Sequence, residues 1–317
     1  MALAALDHLP PCDSLYVSPH ADDVALSCAG RLVHEKAEGL KILVVILFGP
    51  GLDGPFGSAP HAQEGVARAL VRLGVEHFAA QLPQARRRSL VYKTYAGLVE
   101  ARDPGDDAWA AQAAELLAEV GHRTRARQVY APLAVGSHID HRLAHDAACA
   151  AFSGEGRNVF LYEERPEALV RGAVRMRLGQ IGARLPPAAD VAEPASALRY
   201  LLRFHVGGFR GDIRGWQERL RSAAPAWRQW RAGRAWNPQR SLGPRLQPVV
   251  YTSEGPAREA LSELRAAAPR SLDALARRYG KRLGAGEYAE RYWLLLPARQ
   301  TDGQEALPPA SVTVKRG

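Results

Sequence analysis

Two short segments hold the residues whose types and spacing suit chemistry. Ser18-Pro19-His20-Ala21-Asp22-Asp23 carries one histidine and two carboxylates. Gly136-Ser137-His138-Ile139-Asp140-His141 carries two histidines around a carboxylate. Imidazole nitrogen and carboxylate oxygen are donors for Zn²⁺ and other divalent metals. Two ligands from the first segment and one from the second would make a three-ligand site with an open position, the arrangement of a catalytic ion. Each segment also has a plain structural reading. Asp at a helix start meets unpaired N–H groups and the helix dipole, and histidines three apart suit a solvated helix start. The two segments together, each in a strand-to-helix loop, are harder to explain that way.

The surrounding pattern supplies those loops. Residues 15–18 read as a short strand ending at Pro19. Residues 24–38 have helical spacing, closed by Gly39. The nearly continuous aliphatic run 41–48 has the composition of a parallel strand buried on both faces. A Gly/Pro-rich loop at 49–60 follows, then a helix at 61–73, a strand at 75–82 and a basic loop at 86–88. A helix at 107–121, a strand at 128–133, a loop at 134–137, a helix at 140–152 and a strand at 158–162 complete the alternation. Such βα repetition implies right-handed crossovers and a mostly parallel sheet, so the expected fold is α/β and Rossmann-like, flanked by helices. Ligands in such sheets bind at the carboxyl ends of strands near a switch in strand order. Both segments lie at such ends.

Residues 165–246 differ. They are rich in Arg, Pro, Ala and Trp and show no strand pattern, which predicts a helical insertion or cap. A strand is expected at 247–252, helices at 255–280 and a final edge strand at 292–296. The predicted organisation is a catalytic α/β domain from 1–164 and 247–300, the Arg/Trp-rich insertion 165–246, and a flexible tail 301–317.

Composition excludes several classes. The chain has 317 residues, 47% of them hydrophobic, too apolar for a disordered chain and long enough to bury a core. Cys12, Cys28 and Cys149 form neither a disulfide framework nor a CxxC site, which points to a reducing, cytoplasmic setting. No basic n-region precedes an apolar stretch at the start, so no secretory signal is expected. The longest aliphatic run, 42–48, falls far short of the roughly 20 residues of a membrane helix, so no transmembrane segment is expected. A net charge of +9 favours anionic partners. Five lysines stand against 37 arginines, and no nucleic-acid motif accompanies them, so no nucleic-acid partner is expected. Nothing in the sequence gives an oligomeric state.

The paired motifs resemble those of the PIG-L/LmbE-like zinc-dependent N-deacetylases. The likeness runs over residues 15–162 and, more weakly, the Glu290-Arg291-Tyr292-Trp293 stretch. The resemblance implies removal of the N-acetyl group from an N-acetylglucosamine-type sugar on a small molecule, glycan or lipid. It implies His20, Asp23 and His141 as metal ligands, with Zn²⁺ as the ion and Fe or another divalent metal as alternatives. It makes Asp22 the general base for a metal-activated water, and His138 the group that stabilises the oxyanion or protonates the leaving amine. Ala21 and Ile139 stand where the family usually has Pro. Val24 stands where it has Glu, which bears on sugar recognition more than on metal binding.

Other residues have weaker claims. Asp140 could orient His138 or His141, or cap its helix. His145 could compete with His141 as a ligand but sits a turn deeper. Arg86 and Arg88 follow a strand end, where they could meet an anionic substrate group. Glu163 and Glu164 follow another and could line the pocket. Trp216, Trp227, Trp230 and Trp236 could stack on a sugar or form the insertion's own core. Cys28 reads as a packed core residue. Two other functions share the scaffold: a metal-dependent phosphoester hydrolase, or a non-catalytic basic carbohydrate- or nucleic-acid-binding protein.

Overall fold

The computed structural model describes residues 6, 8–49, 70, 74–154, 156–187, 189, 191, 196–201, 223–252, 270–285 and 289–297. The aliphatic run becomes the strand β2 (Ile42–Gly49), every residue of it buried. Burial of each Val, Leu, Ile or Phe in such a strand stabilises by about 1.5–3 kcal/mol. The other strands are β1 (Ser14–Ser18), β3 (Glu76–Pro83), β4 (Gln128–Pro132), β5 (Asn158–Tyr162), β6 (Leu246–Thr252) and β7 (Ala289–Leu295). They form one sheet in the order β3-β2-β1-β4-β5-β7-β6. The first five pair in parallel; β7 runs antiparallel to both β5 and β6. Strand order reverses between β1 and β4, so their carboxyl ends flank the switch point where ligands bind in open α/β sheets.

The helices are α1 (Asp23–Ser27), α2 (Ala29–Ala37), the single turn α3 (Ala85–Arg88), α4 (Tyr95–Glu100), α5 (Asp106–Thr124), α6 (Ile139–Phe152), α7 (Ala173–Gln180), α8 (Ala197–Leu201), α9 (Ala223–Ala235) and α10 (Arg270–Arg282). None of the described helices is long and apolar enough to cross a membrane.

Three expectations change. The helix expected over 24–38 breaks at Cys28, whose φ of −119° leaves the helical range. Beyond the break, the Gly30 and Arg31 amides donate to the Glu290 carboxylate at 2.7 and 3.0 Å, so a distant acid caps α2. The expected edge strand is β7, and it is interior: Ala289 to Trp293 are all buried between β5 and β6. The edge is β6, which carries Pro248, a residue without the N–H an inner strand must donate. The basic loop at 86–88 is wound into α3. The helix at 61–73 lies outside the described residues except Leu70, as does the loop at 49–60 except Gly49, which ends β2, and the tail at 301–317 lies outside them entirely.

The regular elements described within 165–245 are helices, joined by turns and irregular backbone, with the isolated bridge Arg184–Arg245; Leu246 already belongs to β6. Ala168, Val174, Met176, Leu178, Ala226 and Trp236 belong to the same hydrophobic cluster as β1, β4 and α6. The tryptophans divide. Trp236 is buried, its indole N–H donating to the Ala183 carbonyl at 3.0 Å. Trp227 is 45% exposed and stacks on Trp230 at 5.1 Å. Trp216 is outside the described residues.

Candidate active site

Local turns aim the side chains. After β1, the Ser18 hydroxyl donates to the His20 carbonyl and accepts from the Val24 amide at 3.2 Å. That closed turn lets the His20 amide donate to Asp23 Oδ2 at 2.8 Å. After β4, Ala134, Gly136 and Ser137 take positive φ of 65°, 86° and 61°. For Ala134 and Ser137 this left-handed backbone costs of order 1–3 kcal/mol each, a strain that collects at functional sites. The loop delivers His138 as the N-cap of α6, its Nδ1 accepting from the Asp140 amide at 3.2 Å. A neutral His138 capped this way carries its proton on Nε2. The first turn of α6 then buries Asp140 and His141.

His20, Asp23 and His141 converge. His20 Nδ1 lies 3.2 Å from Asp23 Oδ2, and His141 Nε2 lies 3.4 Å from the same oxygen. All three donor atoms fall within 4.8 Å of one another. A tetrahedral site with bonds of about 2.0–2.1 Å has ligand–ligand edges of about 3.3–3.4 Å. The donor set therefore fits a divalent ion. Each imidazole has a second carboxylate behind it. His20 Nε2–H donates to Asp140 Oδ2 at 3.0 Å, and His141 Nδ1 faces Glu164 Oε1 at 3.4 Å. Such carboxylate–histidine pairs fix the ring and its tautomer, leaving the other nitrogen's lone pair for a metal. His20, His138 and Asp140 form a second possible group. Its carboxylate is already committed to Arg88 Nη1 at 2.6 Å and to the Ala85 amide at 3.1 Å, which favours the first set.

The electrostatics match that geometry. Burial alone would lower both histidines. For His20 the hydrogen bonds and charges of Asp140 and Asp23 outweigh it and raise the ring well above its ordinary value. For His141, Asp23 and Glu164 do the same. Burial pushes the Asp23 carboxyl up, but His141 and His20 prevail and hold it at about 2. Burial and the Asp23 charge raise the carboxyl of Asp22, the direction that suits a general base. The His138 ring lies 5.6 Å from that of His20 and 5.3 Å from that of His141.

Several expected site residues are placed differently. Asp140 does not orient His138 or His141 with its carboxylate; it holds His20 and meets Arg88. Arg88 is not open to an anionic substrate group: its side chain is 2% exposed, clamped between Asp106 and Asp140. Arg86, on the same turn, is half-buried. Glu164 is fully buried, accepting from the Ala134 and Val135 amides at 2.6 and 3.0 Å while backing His141, so it does not face a pocket. Glu163 is spent on Arg291 Nε at 2.7 Å, Trp293 Nε1 at 2.8 Å and the Tyr279 hydroxyl. His145 turns away, donating from Nδ1 to the Pro132 carbonyl at 2.9 Å. Asp106 and Tyr92, behind Arg88, carry no motif that would single them out.

A model of the PIG-L family, the GlcNAc-PI de-N-acetylases, matches residues 15–152. The 2'-N-acetylparomamine deacetylase of Streptomyces fradiae is 30% identical over 248 residues, covering 70% of this chain and 82% of that protein. The chain belongs to the PIG-L family. Two solved structures show the same fold at 17% identity, each covering 91% of this chain and 99% of its own. One is a deacetylase–bog complex from the biosynthesis pathway of teicoplanin, with a TM-score of 0.60. The other is the deacetylase of the A40926 pseudoaglycone, at 0.55. The PIG-L match stops at Phe152, so it contains His20, Asp23 and His141 and omits Glu164, which backs one of them.

Proposed function

We propose that this chain is a metal-dependent N-deacetylase acting on an amino-sugar conjugate, in the cytoplasm, with Zn²⁺ as its metal. The observation that carries this reading is the convergence of His20, Asp23 and His141 on one point at the β1/β4 switch, with Asp22 adjoining and His138 across from it. The paromamine-type relative supports an amino sugar as the substrate class. Cys12, Cys28 and Cys149 are all free, which suits a reducing compartment.

His20, Asp23 and His141 would hold the ion. When bound, it supplies a water of lowered pKa and polarises the amide carbonyl. Asp22 takes the proton of the attacking water. His138, with its proton on Nε2, faces the charge that develops on the carbonyl oxygen and passes a proton to the departing amine, which is a poor leaving group without one. Asp140 and Glu164 keep the two ligand rings in register.

The test is acetate release by metal-stripped and zinc-reloaded protein on a panel of N-acetylated aminoglycosides and N-acetylglucosamine conjugates, with generic phosphoesters alongside. Acetate release that depends on metal is expected from the sugars, and no turnover of the phosphoesters. His141→Ala protein that deacetylates as fast as wild type would sink the reading.

A further inference from the structure

Behind His20 a buried chain of polar groups runs away from the metal-ligand cluster. Asp140 Oδ2 accepts from His20 Nε2 at 3.0 Å, and both Asp140 oxygens face the Ala85 amide at 3.1 and 3.2 Å. Oδ1 also accepts from Arg88 Nη1 at 2.6 Å. The same Nη1 donates to the Pro83 carbonyl at 2.8 Å, and Arg88 Nε donates to Asp106 Oδ1 at 3.2 Å. The Tyr92 hydroxyl donates to the other Asp106 oxygen and accepts from the Asp103 amide at 2.7 Å. The side chains of Arg88, Asp106 and Asp140 are each at most 2% exposed.

We infer that Arg88 is a positioning residue for the metal centre: it acts through Asp140 on His20, and Asp106 with Tyr92 holds it in place. This rests on the metal site proposed above. A carboxylate has about four acceptor positions. Asp140 fills three kinds of them, from His20, Ala85 and Arg88, so it has one orientation. That orientation fixes the His20 ring, and the ring's remaining nitrogen is the one 3.2 Å from Asp23. Arg88 is suited to the task because its planar fork reaches two carboxylates at set angles, which a lysine ammonium does not. Its anchors come from three places in the fold: the end of β3, the first turn of α5 and the first turn of α6. A purely structural Arg88 would tie these elements together without affecting the ligands, so the experiment must read the ligands.

Zinc affinity is measured by chelator competition, and the visible spectrum with Co²⁺ substituted, for wild type, Arg88→Gln, Arg88→Lys, Asp140→Asn and the Arg88→Gln/Asp140→Asn double variant. Melting of each metal-free protein is followed in parallel. Arg88→Gln and Asp140→Asn are each expected to weaken zinc binding 10–100-fold, as loss of such outer partners does. The double variant loses no more than the worse single, because both act through one path. Arg88→Lys falls between, and the Co²⁺ band shifts in all of them. Zinc affinity within twofold of wild type in Arg88→Gln, whatever its melting temperature, overturns the inference. So does a double variant whose loss is the product of the two singles. If Arg88→Gln does not fold, Arg88→Lys and Asp140→Asn are judged by the same criterion. Wild-type protein that binds no divalent ion overturns the proposed function as well, whereas tight wild-type binding with unaffected variants overturns this inference alone.

Discussion

Two buried clusters in this molecule use the same ingredients to opposite ends. Under α2, Glu35 accepts from the Tyr16 hydroxyl, Arg31 Nε and the Tyr130 hydroxyl, each at 2.9 Å. Each of those three donors meets the one carboxylate, and Arg31 Nε also reaches the Tyr130 hydroxyl at 3.1 Å. At the β1/β4 switch, two imidazoles and a carboxylate stand 3.2–3.4 Å apart, with no donor bridging His141 Nε2 to Asp23 at hydrogen-bond distance. Behind them His20 Nε2 donates to Asp140 at 3.0 Å, while His141 Nδ1 only faces Glu164, at 3.4 Å. Buried polar groups are expected to be satisfied from within the protein. In the second cluster His141 instead stands 3.4 Å from a carboxylate on either side, Asp23 and Glu164, and its buried Nδ1 makes no hydrogen bond. Burial and charge do not separate the two clusters; the hydrogen bonds that His141 lacks do.

The contrast can be broken by mutation. Asp22→Asn should lower kcat by about 10²–10⁴-fold with zinc affinity kept, the range for loss of a general base. Steady-state rates and metal titration on one preparation check it, and a normal kcat would remove Asp22 from the chemistry. Glu35→Ala should do the reverse. Stripping the acceptor from Arg31 and two tyrosines should cost about 3–5 kcal/mol of stability by denaturant unfolding, with kcat unchanged in the folded fraction. Glu164→Gln lies between the two: a 10–100-fold loss of zinc affinity, read by chelator competition, with little change in kcat at saturating metal.

A smaller effect follows from pH. His20 and His141 are raised above the ordinary histidine value in the metal-free protein. Their contribution to stability is full below that ordinary value and is lost as pH rises through the raised values. Metal needs the neutral rings, so its binding displaces protons and strengthens over the same rise. The gain in Tm on adding zinc should therefore grow from pH 6 to pH 9. Asp23, held at about 2, keeps its contribution until pH falls below the ordinary carboxylate range toward that value. A zinc increment flat across this range would show that the two rings do not titrate against the metal.

What the sequence disclosed follows from how local each signal is. His20 with Asp23, and His138 with His141, are three apart at strand-to-helix junctions that period and turn chemistry place, and the family resemblance supplies their roles. β2 is legible because seven apolar residues in a row, followed by Gly49, have the length and composition of a strand covered on both faces. Roles set by distant partners were not legible. Arg88 looks like a solvent-facing charge in the run Arg86-Arg87-Arg88, and only the approach of Asp106 and Asp140, 18 and 52 residues on, buries it. Glu163 and Glu164 share the end of β5, yet adjacent residues there turn to different neighbours, Glu163 to β7 and α10, Glu164 to the loop after β4 and to His141. The interior position of β7 escaped for the same reason, since strand order is a matter of long-range pairing.

That position of β7 has a consequence for how the protein is made. The acceptor of the Gly30 amide is Glu290 on β7, 260 residues later in the chain. At about 5–20 residues per second, a ribosome needs roughly 13–52 s to deliver it. For that time the start of α2 lacks its cap and β5 presents an unpaired edge, because the strand that covers it is synthesised after the one that ends up outside it. An open strand edge is a template for pairing with another chain. The nascent protein thus passes through a stage in which its most nearly complete sheet is also its most adhesive, and β7, the last of the described strands, ends that exposure.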